Sequence, residues 1–330
     1  MEINSNTNVS EQHWSEEKEV ISSNKPLKYL LHLLKYFPRF FVHSLIFPVG
    51  FFYYIFSKHA RIVCSIYQKQ LQEFTDNKIP KKISPYKQIV SFCLCVLEKM
   101  EGWLGKFNYK ELNTFEDDLK TLQSQLEEGK GAVLLGSHLG NIELMRSLSS
   151  FGENGVSKDY SIITIMELKA TSQFNQTLKE INPNVNFQVI SPSDFGPETI
   201  IQLEEQIEKG GLVVIAGDRT SPNARNRNIK KFFLGKEASF PYGTFLIPAL
   251  LKAPVYHVYG MRTKTATLKS VYNLYVEKSN ISFDNLQRAE RETRIDELCQ
   301  EFVSKLEKYC KLYPYQWYNF FNFWDDSVNQ

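Results

Sequence analysis

The chain's pattern predicts an α/β fold: a mostly parallel central sheet flanked by helices, preceded by a hydrophobic helical region. Three observations carry that expectation. Short apolar runs (GAVLLGS, YSIITIM, VNFQVI, LVVIAGD, APVYHVYGM) alternate with segments of helical periodicity. The runs are apolar throughout rather than at every second position, as strands covered on both faces are. Between Arg39 and Ser57 the chain carries no charged residue and is dominated by Phe, Tyr, Leu, Ile and Val.

In chain order, the first stretch, 1–25, is rich in Asn, Ser and Glu and lacks the basic start and apolar run of a secretory signal, so a flexible segment is expected. Residues 26–112 are expected to form a helical, membrane-associating region. Its apolar run approaches the roughly 17–25 residues of a membrane span. Basic residues flank it on both sides (Lys35, Arg39, Lys58, Arg61), and aromatic side chains suit an interface. A buried pair of core helices is the competing reading, and the equal flanks leave spanning and lying flat both open. From Arg61 to about Leu112 helical spacing continues, broken at KIPKKISP.

Residues 113–330 are expected to form the α/β domain. After strand GAVLLGS comes a helix NIELMRSLSSF that Asn141 can cap. Strand YSIITIM, helix FNQTLKEIN and strand VNFQVI follow. PETIIQLEEQIEKG is an amphipathic helix ending at Gly210-Gly211, and LVVIAGD is a buried strand. YGTFLIPALLK reads as a helix, APVYHVYGM as a strand, and Asn285 to Lys311 as a long final helix. The tail YPYQWYNFFNFWDD repeats aromatics at nearly helical spacing. That stripe reads first as core and second as part of an acyl channel or an interfacial anchor.

Composition excludes some classes. The chain's 330 residues carry a net charge of only +2, so no global field points to nucleic acid. The five cysteines (Cys64, Cys93, Cys95, Cys299, Cys310) are odd in number and lack metal-ligand spacing, as reduced, mostly buried thiols do. Neither a metal nor a cofactor is expected. Nor does the sequence contain a nucleophile elbow, a phosphate-binding loop or a dinucleotide fingerprint.

Two stretches remain as sites. In parallel sheets ligands collect where strands end and helices begin, and His138 stands there. A neutral imidazole held by a carboxylate can take a proton from a hydroxyl. Glu143 is the carboxylate nearest in sequence, and the pairing requires His138 to precede the helix. The second stretch opens with Asp218-Arg219 after LVVIAGD. From Arg219 to Lys236 it holds six basic residues (Arg219, Arg225, Arg227, Lys230, Lys231, Lys236) and no acidic one. It reads either as a solvated basic loop or as a surface for a phosphate-bearing or acidic partner.

LLGSHLGNIELMR resembles the H-x4-D/E block of the lysophospholipid acyltransferase superfamily and, in its surroundings, the late acyltransferases of lipid A biosynthesis. AGDRT, FFLGKEASFPYG and LLKAPVYHVYG resemble later blocks of that family in the same order. EQHWSE and PYQWYNFFNFW resemble a branch of acyltransferases associated with glycolipid and aryl-polyene genes. The likeness runs from about residue 12 to residue 324. It implies a glycerolipid acyltransferase-like fold and transfer of a fatty acyl group from an acyl thioester, on acyl carrier protein or CoA, to a hydroxyl or amine of a membrane lipid or glycolipid. It further implies a place at the cytoplasmic face of a bacterial inner membrane.

By matching position, the resemblance makes His138 the general base and Glu143 its orienting acid, with direct attack on the thioester and no covalent acyl-enzyme. Asp218 and Arg219 would shape the site and bind phosphate. Gly136, Gly140 and Asn141 would let backbone approach the reacting carbonyl, where N–H groups could stabilise the oxyanion. Arg225 and Arg227 would meet an acidic carrier protein or its phosphopantetheine arm. The chain departs from the glycerolipid members in having PYGT where their Glu-Gly-Thr block would stand, which argues against glycerol 3-phosphate as acceptor. A non-catalytic, lipid-binding scaffold in a glycolipid-assembly complex and an acyl hydrolase are the alternatives.

Overall fold

The computed structural model describes residues 24–104, 112–142, 160–166, 187–192, 195–220, 227–284 and 286–324. The expected helices NIELMRSLSSF and FNQTLKEIN, apart from the first two residues of the former, and the segment 1–23 lie outside them. Four helices come first: α1 (Asn24–Tyr36), α2 (Arg39–Phe56), α3 (Lys58–Phe74) and α4 (Pro85–Trp103). The expected break at KIPKKISP falls between α3 and α4. The Ser84 hydroxyl accepts the Lys87 N–H at the start of α4, and Pro85 stands where its missing N–H costs nothing.

The sheet is built from β1 (Leu112–Thr114), β2 (Ala132–Gly136), β3 (Ile162–Ile165), β4 (Phe187–Ile190), β5 (Leu212–Ala216), β8 (Val255–Arg262) and β9 (Tyr272–Lys278), in the order β1-β9-β8-β2-β5-β3-β4. Neighbours pair in parallel except β8 and β9, which are antiparallel. Helices α5 (Glu116–Glu127), α6 (Pro197–Glu208), α7 (Tyr242–Leu251) and α8 (Arg288–Leu312) cover it. The expected α/β architecture with a mostly parallel sheet is therefore present.

Alternation along each strand splits the core into two layers. Ala132 and Leu134 of β2 join Val214, Tyr256 and Val276 over Leu122 and Leu126 of α5. Val133 and Leu135 face the other way, with Val213 and Ile215, onto Leu203 of α6, Phe245 of α7 and Phe302 of α8. Both faces of the central strands are buried, which is why those strands read as continuous apolar runs.

β1, α5, β9 and a hairpin were not anticipated. β9 has a clear alternation, and its antiparallel pairing with β8 turns the edge of the sheet. The basic run contains a hairpin, β6 (Asn228–Phe233) and β7 (Lys236–Pro241), closed by Leu234 and Gly235 with φ of 50° and 81°. Two residues with positive φ suit a two-residue hairpin turn whose twist matches the strands. The hairpin also neutralises part of the expected basic surface. Lys230 pairs with Glu237, Lys231 with Asp296 and Lys236 with Glu73.

The aromatic tail is core, the first of its two expected readings. Trp317 is 1% exposed and packs edge-on against Tyr67, Phe233 and Phe323. The tail is held between the sheet and the N-terminal helices. Gln88 donates to the Trp317 carbonyl, Ser91 bonds the Tyr318 hydroxyl, and Tyr315 donates to the Lys82 carbonyl. The helices of 24–104 are thus fastened to the α/β part through this tail.

Candidate active site

The register of the sheet builds the site. β2 and β5 lie side by side, parallel, with Gly136 opposite Ala216. Two residues beyond each partner stand His138 and Asp218. Equal offsets on adjacent parallel strands bring both side chains to the same edge, and the Gly217 N–H to the Gly136 carbonyl (2.9 Å) ties the two turns together. A Cβ at Gly136 would lie 2.0 Å from Ile142 Cδ1, so any larger residue there would force the Ile142 side chain to move.

His138 Nδ1 lies 2.8 Å from Asp218 Oδ1, and the His138 backbone N–H reaches Oδ2 at 2.9 Å. The Trp317 indole N–H donates to the same Oδ2 at 2.9 Å. The Asp218 side chain is 0% exposed, whereas that of His138 is 34% exposed. Burial alone would raise the Asp218 carboxyl. The His138 ring, Arg219 and the Trp317 indole outweigh it and hold the carboxyl below its usual range. An ionised Asp218 fixes the His138 tautomer with the proton on Nδ1, leaving Nε2 as the basic nitrogen. Burial lowers the imidazole pKa, Arg219 and Lys99 push the same way, and Asp218 only partly opposes them. These effects together favour the neutral ring that a general base needs.

The tail completes the frame. The Gly140 N–H donates to the Gln316 carbonyl at 2.8 Å and the Tyr318 N–H to the His138 carbonyl at 2.9 Å. Leu139 and Trp317 pair between them. The His138 loop is thus clamped by backbone on one side and by Asp218 on the other. Gly140 adopts φ +74°, and a Cβ there would lie 2.3 Å from the Gly260 carbonyl oxygen, so both backbone and space demand glycine.

Several sequence expectations take a different form here. The carboxylate on His138 is Asp218, which the sequence assigned to shaping the site and binding phosphate. Its oxygens already accept three protein donors in a closed setting, which suits orientation and not anion binding. Glu143 lies outside the described residues, as does Arg225. The Gly140 and Asn141 N–H groups are both engaged, the second by the Gly260 carbonyl at 2.7 Å, and the helix-start N–H groups expected to stabilise an oxyanion lie beyond Ile142, outside the described residues. The Asn141 amide is different: the residue is 1% exposed, and among the described residues neither its Nδ2 nor its Oδ1 has a partner. Arg219 donates to Asn319 Oδ1 and to the Tyr318 carbonyl, and its guanidinium lies over the Phe321 ring. Arg227 lies over Tyr242, away from the dyad contacts.

Sequence reasoning missed Trp317 and Lys99 as site residues. For Trp317 the signal was an indole in an aromatic tail, which needs a hydrogen-bond acceptor once buried. Among the described residues no group of three or more His, Cys, Asp or Glu is arranged to hold a metal ion. Comparison with protein-family models and with curated proteins returns no match.

Proposed function

We propose that the protein is a membrane-associated acyltransferase that moves a fatty acyl group from an acyl thioester, on acyl carrier protein or CoA, to a hydroxyl or amine of a membrane lipid or glycolipid. The observation that carries the reading is His138 Nδ1 at 2.8 Å from an oxygen of buried Asp218, an arrangement that favours a neutral ring with its proton on Nδ1. Nε2 takes the proton from the acceptor's hydroxyl or amine as its oxygen or nitrogen attacks the thioester carbonyl. The resulting imidazolium is stabilised by Asp218. Collapse of the tetrahedral intermediate breaks the C–S bond, and the proton on Nε2 passes to the departing thiolate. The buried Asn141 amide, unpartnered among the described residues, is the candidate donor to the oxyanion, in place of the engaged backbone N–H groups. The ordered H-x4-E and later blocks support the lipid-modifying class.

The described helices include one, α2, long and apolar enough to cross a membrane. Two facts favour lying in the surface over spanning. Its inner face (Val42, His43, Ile46, Gly50) is packed on α4, where a Gly50 Cβ would meet Val90 at 2.9 Å. The other side of α4 holds the tail and the His138 loop, so α2 could not cross a bilayer without drawing that assembly in. Its outer face exposes Phe40, Phe41, Val49, Phe52, Ile55 and Phe56. Such a face fits the boundary between headgroups and acyl chains. The basic flanks differ from the expectation in part: Arg39 turns in to Glu101, and Arg61 donates to the Tyr54 and Ile55 carbonyls. Replacing Phe52 and Phe56 together by Glu is expected to weaken sedimentation with phosphatidylglycerol–phosphatidylethanolamine vesicles by about tenfold or more while the circular dichroism spectrum is kept. Unchanged sedimentation would remove the surface reading.

Purified protein given acyl-CoA or acyl carrier protein with a bacterial lipid extract should release thiol only when lipid is present. Thiol release that yields free fatty acid without an acceptor would make the protein a hydrolase. The acid limb of kcat/KM should lie below the ordinary histidine value of 6.5, because the folded-state imidazole is lowered and its loss of activity begins only when it gains a proton. A limb above that value would contradict a desolvated, neutral His138.

A further inference from the structure

One face of α4 runs along the site. Gln88 reaches the Trp317 carbonyl, Ser91 the Tyr318 hydroxyl, and the Cys95 thiol the Gly140 carbonyl at 3.6 Å. These positions recur at helical spacing, and the next one in the row, one turn past Cys95, is Lys99. The row therefore delivers an ammonium beside the His138 loop. Lys99 is half-buried and has no ion pair or hydrogen bond among the described residues.

The neighbouring carboxylates are committed elsewhere. Glu98 faces Arg262 at 2.8 Å and also accepts the Tyr272 hydroxyl. Glu101 faces His43 and Arg39, each at 2.8 Å. No carboxylate stands three or four residues from Lys99 on its own helix. Arg219, the other cation at the base, is held by Asn319, the Tyr318 carbonyl and the Phe321 ring. Asp218, the carboxylate at His138, is enclosed by its own donors. A positive charge placed beside the candidate base, in a partly desolvated setting without a counter-ion among the described residues, suits a ligand that brings negative charge.

We propose that Lys99 binds a phosphate group of the substrate beside His138, as a substrate-binding residue of the candidate active site. The inference deepens the acyl-transfer reading by naming the charged group that accompanies the reacting centre, whereas phosphate binding itself does not require turnover. Two sources share that chemistry: the phosphopantetheine arm of the donor and a phosphorylated headgroup of the acceptor. The flexible stem and compact ammonium of lysine suit either.

The test is an NMR titration of the His138 Cε1–H resonance, identified by its loss in His138→Gln, with inorganic phosphate as the first probe. Among the described residues the charged groups acting on the ring are Asp218, Arg219 and Lys99, so a bound phosphate should raise the His138 pKa. Lys99→Met should weaken that phosphate effect about 10- to 100-fold, Lys99→Arg should keep it within a few fold, and Lys87→Met should leave it unchanged. Phosphopantetheine and phosphatidic acid in detergent micelles then form two arms. Whichever shows a dependence on Lys99 and binds more tightly than inorganic phosphate identifies the source. No response of His138 to any of the three in the wild type, or equal affinities for wild type and Lys99→Met, would overturn the proposal. Because no acyl donor is present, that outcome is distinguishable from failure of the acyl-transfer reading.

Discussion

Replacing Asp218 by Asn should lower kcat/KM about 10²–10⁴-fold while the protein remains folded. The carboxylate accepts from His138 Nδ1, the His138 N–H and the Trp317 indole at once. An amide has a single oxygen, so it cannot satisfy all three. Turned to keep the indole bond, it offers its NH2 to Nδ1 and favours the tautomer with the proton on Nε2, where the lone pair is needed. The imidazolium formed on proton transfer also loses its counter-charge. Steady-state kinetics on Asp218→Asn beside Glu143→Gln separates the two carboxylates. The larger loss should fall on Asp218; full activity there with collapse in Glu143→Gln would restore the pairing first read from the sequence.

The second large effect concerns the frame behind the site. Arg262 and Glu98 are both 1% exposed and 2.8 Å apart, with Tyr272 donating to the other carboxylate oxygen. Burial raises the Glu98 carboxyl, and Arg262 with Tyr272 only partly offsets that. Arg262→Met should therefore destabilise the fold by about 3–5 kcal/mol, since it leaves the carboxylate buried without its cation. Arg262→Met with Glu98→Leu should recover most of the loss, because an apolar pair removes both desolvated charges. Urea unfolding of the two variants measures this. A double variant no more stable than the single one would show that packing around Arg262, and not charge, is what matters.

The same pair ties the N-terminal helices to the sheet. Glu98 lies on α4, Arg262 ends β8, and Gln316 bonds both the N–H and the carbonyl of Arg262. Gln316 in turn accepts the Gly140 N–H. On α4, Glu101 takes His43 and Arg39 from α2. Through α4, whose Glu101 and Glu98 carry the two sets of contacts, the helix proposed to lie in the membrane surface is thus joined to the loop that carries His138.

The strands of the central sheet were legible because their burial on both faces leaves uninterrupted apolar runs. Ala132–Gly136 and Leu212–Ala216 fall within expected segments, and Val255–Arg262 runs one residue past its own. α8 was legible from its long periodic pattern. The hairpin of β6 and β7 was not, because six basic residues suggested a solvated loop, although Lys230 finds Glu237 across the hairpin, Lys231 finds Asp296 on α8 and Lys236 finds Glu73 on α3. β9 alternates in burial but carries Asn273, Glu277 and Lys278, which hid it among polar residues.

At the site, His138 was legible from its place after an apolar strand. Its partner was not, because sequence proximity favours Glu143 whereas the contact with Asp218 spans 80 residues. The missing signal is positional: each residue stands two places beyond the end of an apolar strand. Adjacency of β2 and β5, which no local pattern states, turns those equal offsets into a contact.

Lipid mass spectrometry tests the central claim most directly. Cells that lack the endogenous gene would express wild type or His138→Ala. The reading predicts a lipid or glycolipid carrying one additional acyl chain with wild type, reduced about 10²–10⁴-fold in formation rate with His138→Ala. The mass of that lipid identifies the acceptor. Identical lipid profiles from both proteins would contradict the account, and the binding-scaffold alternative would take its place.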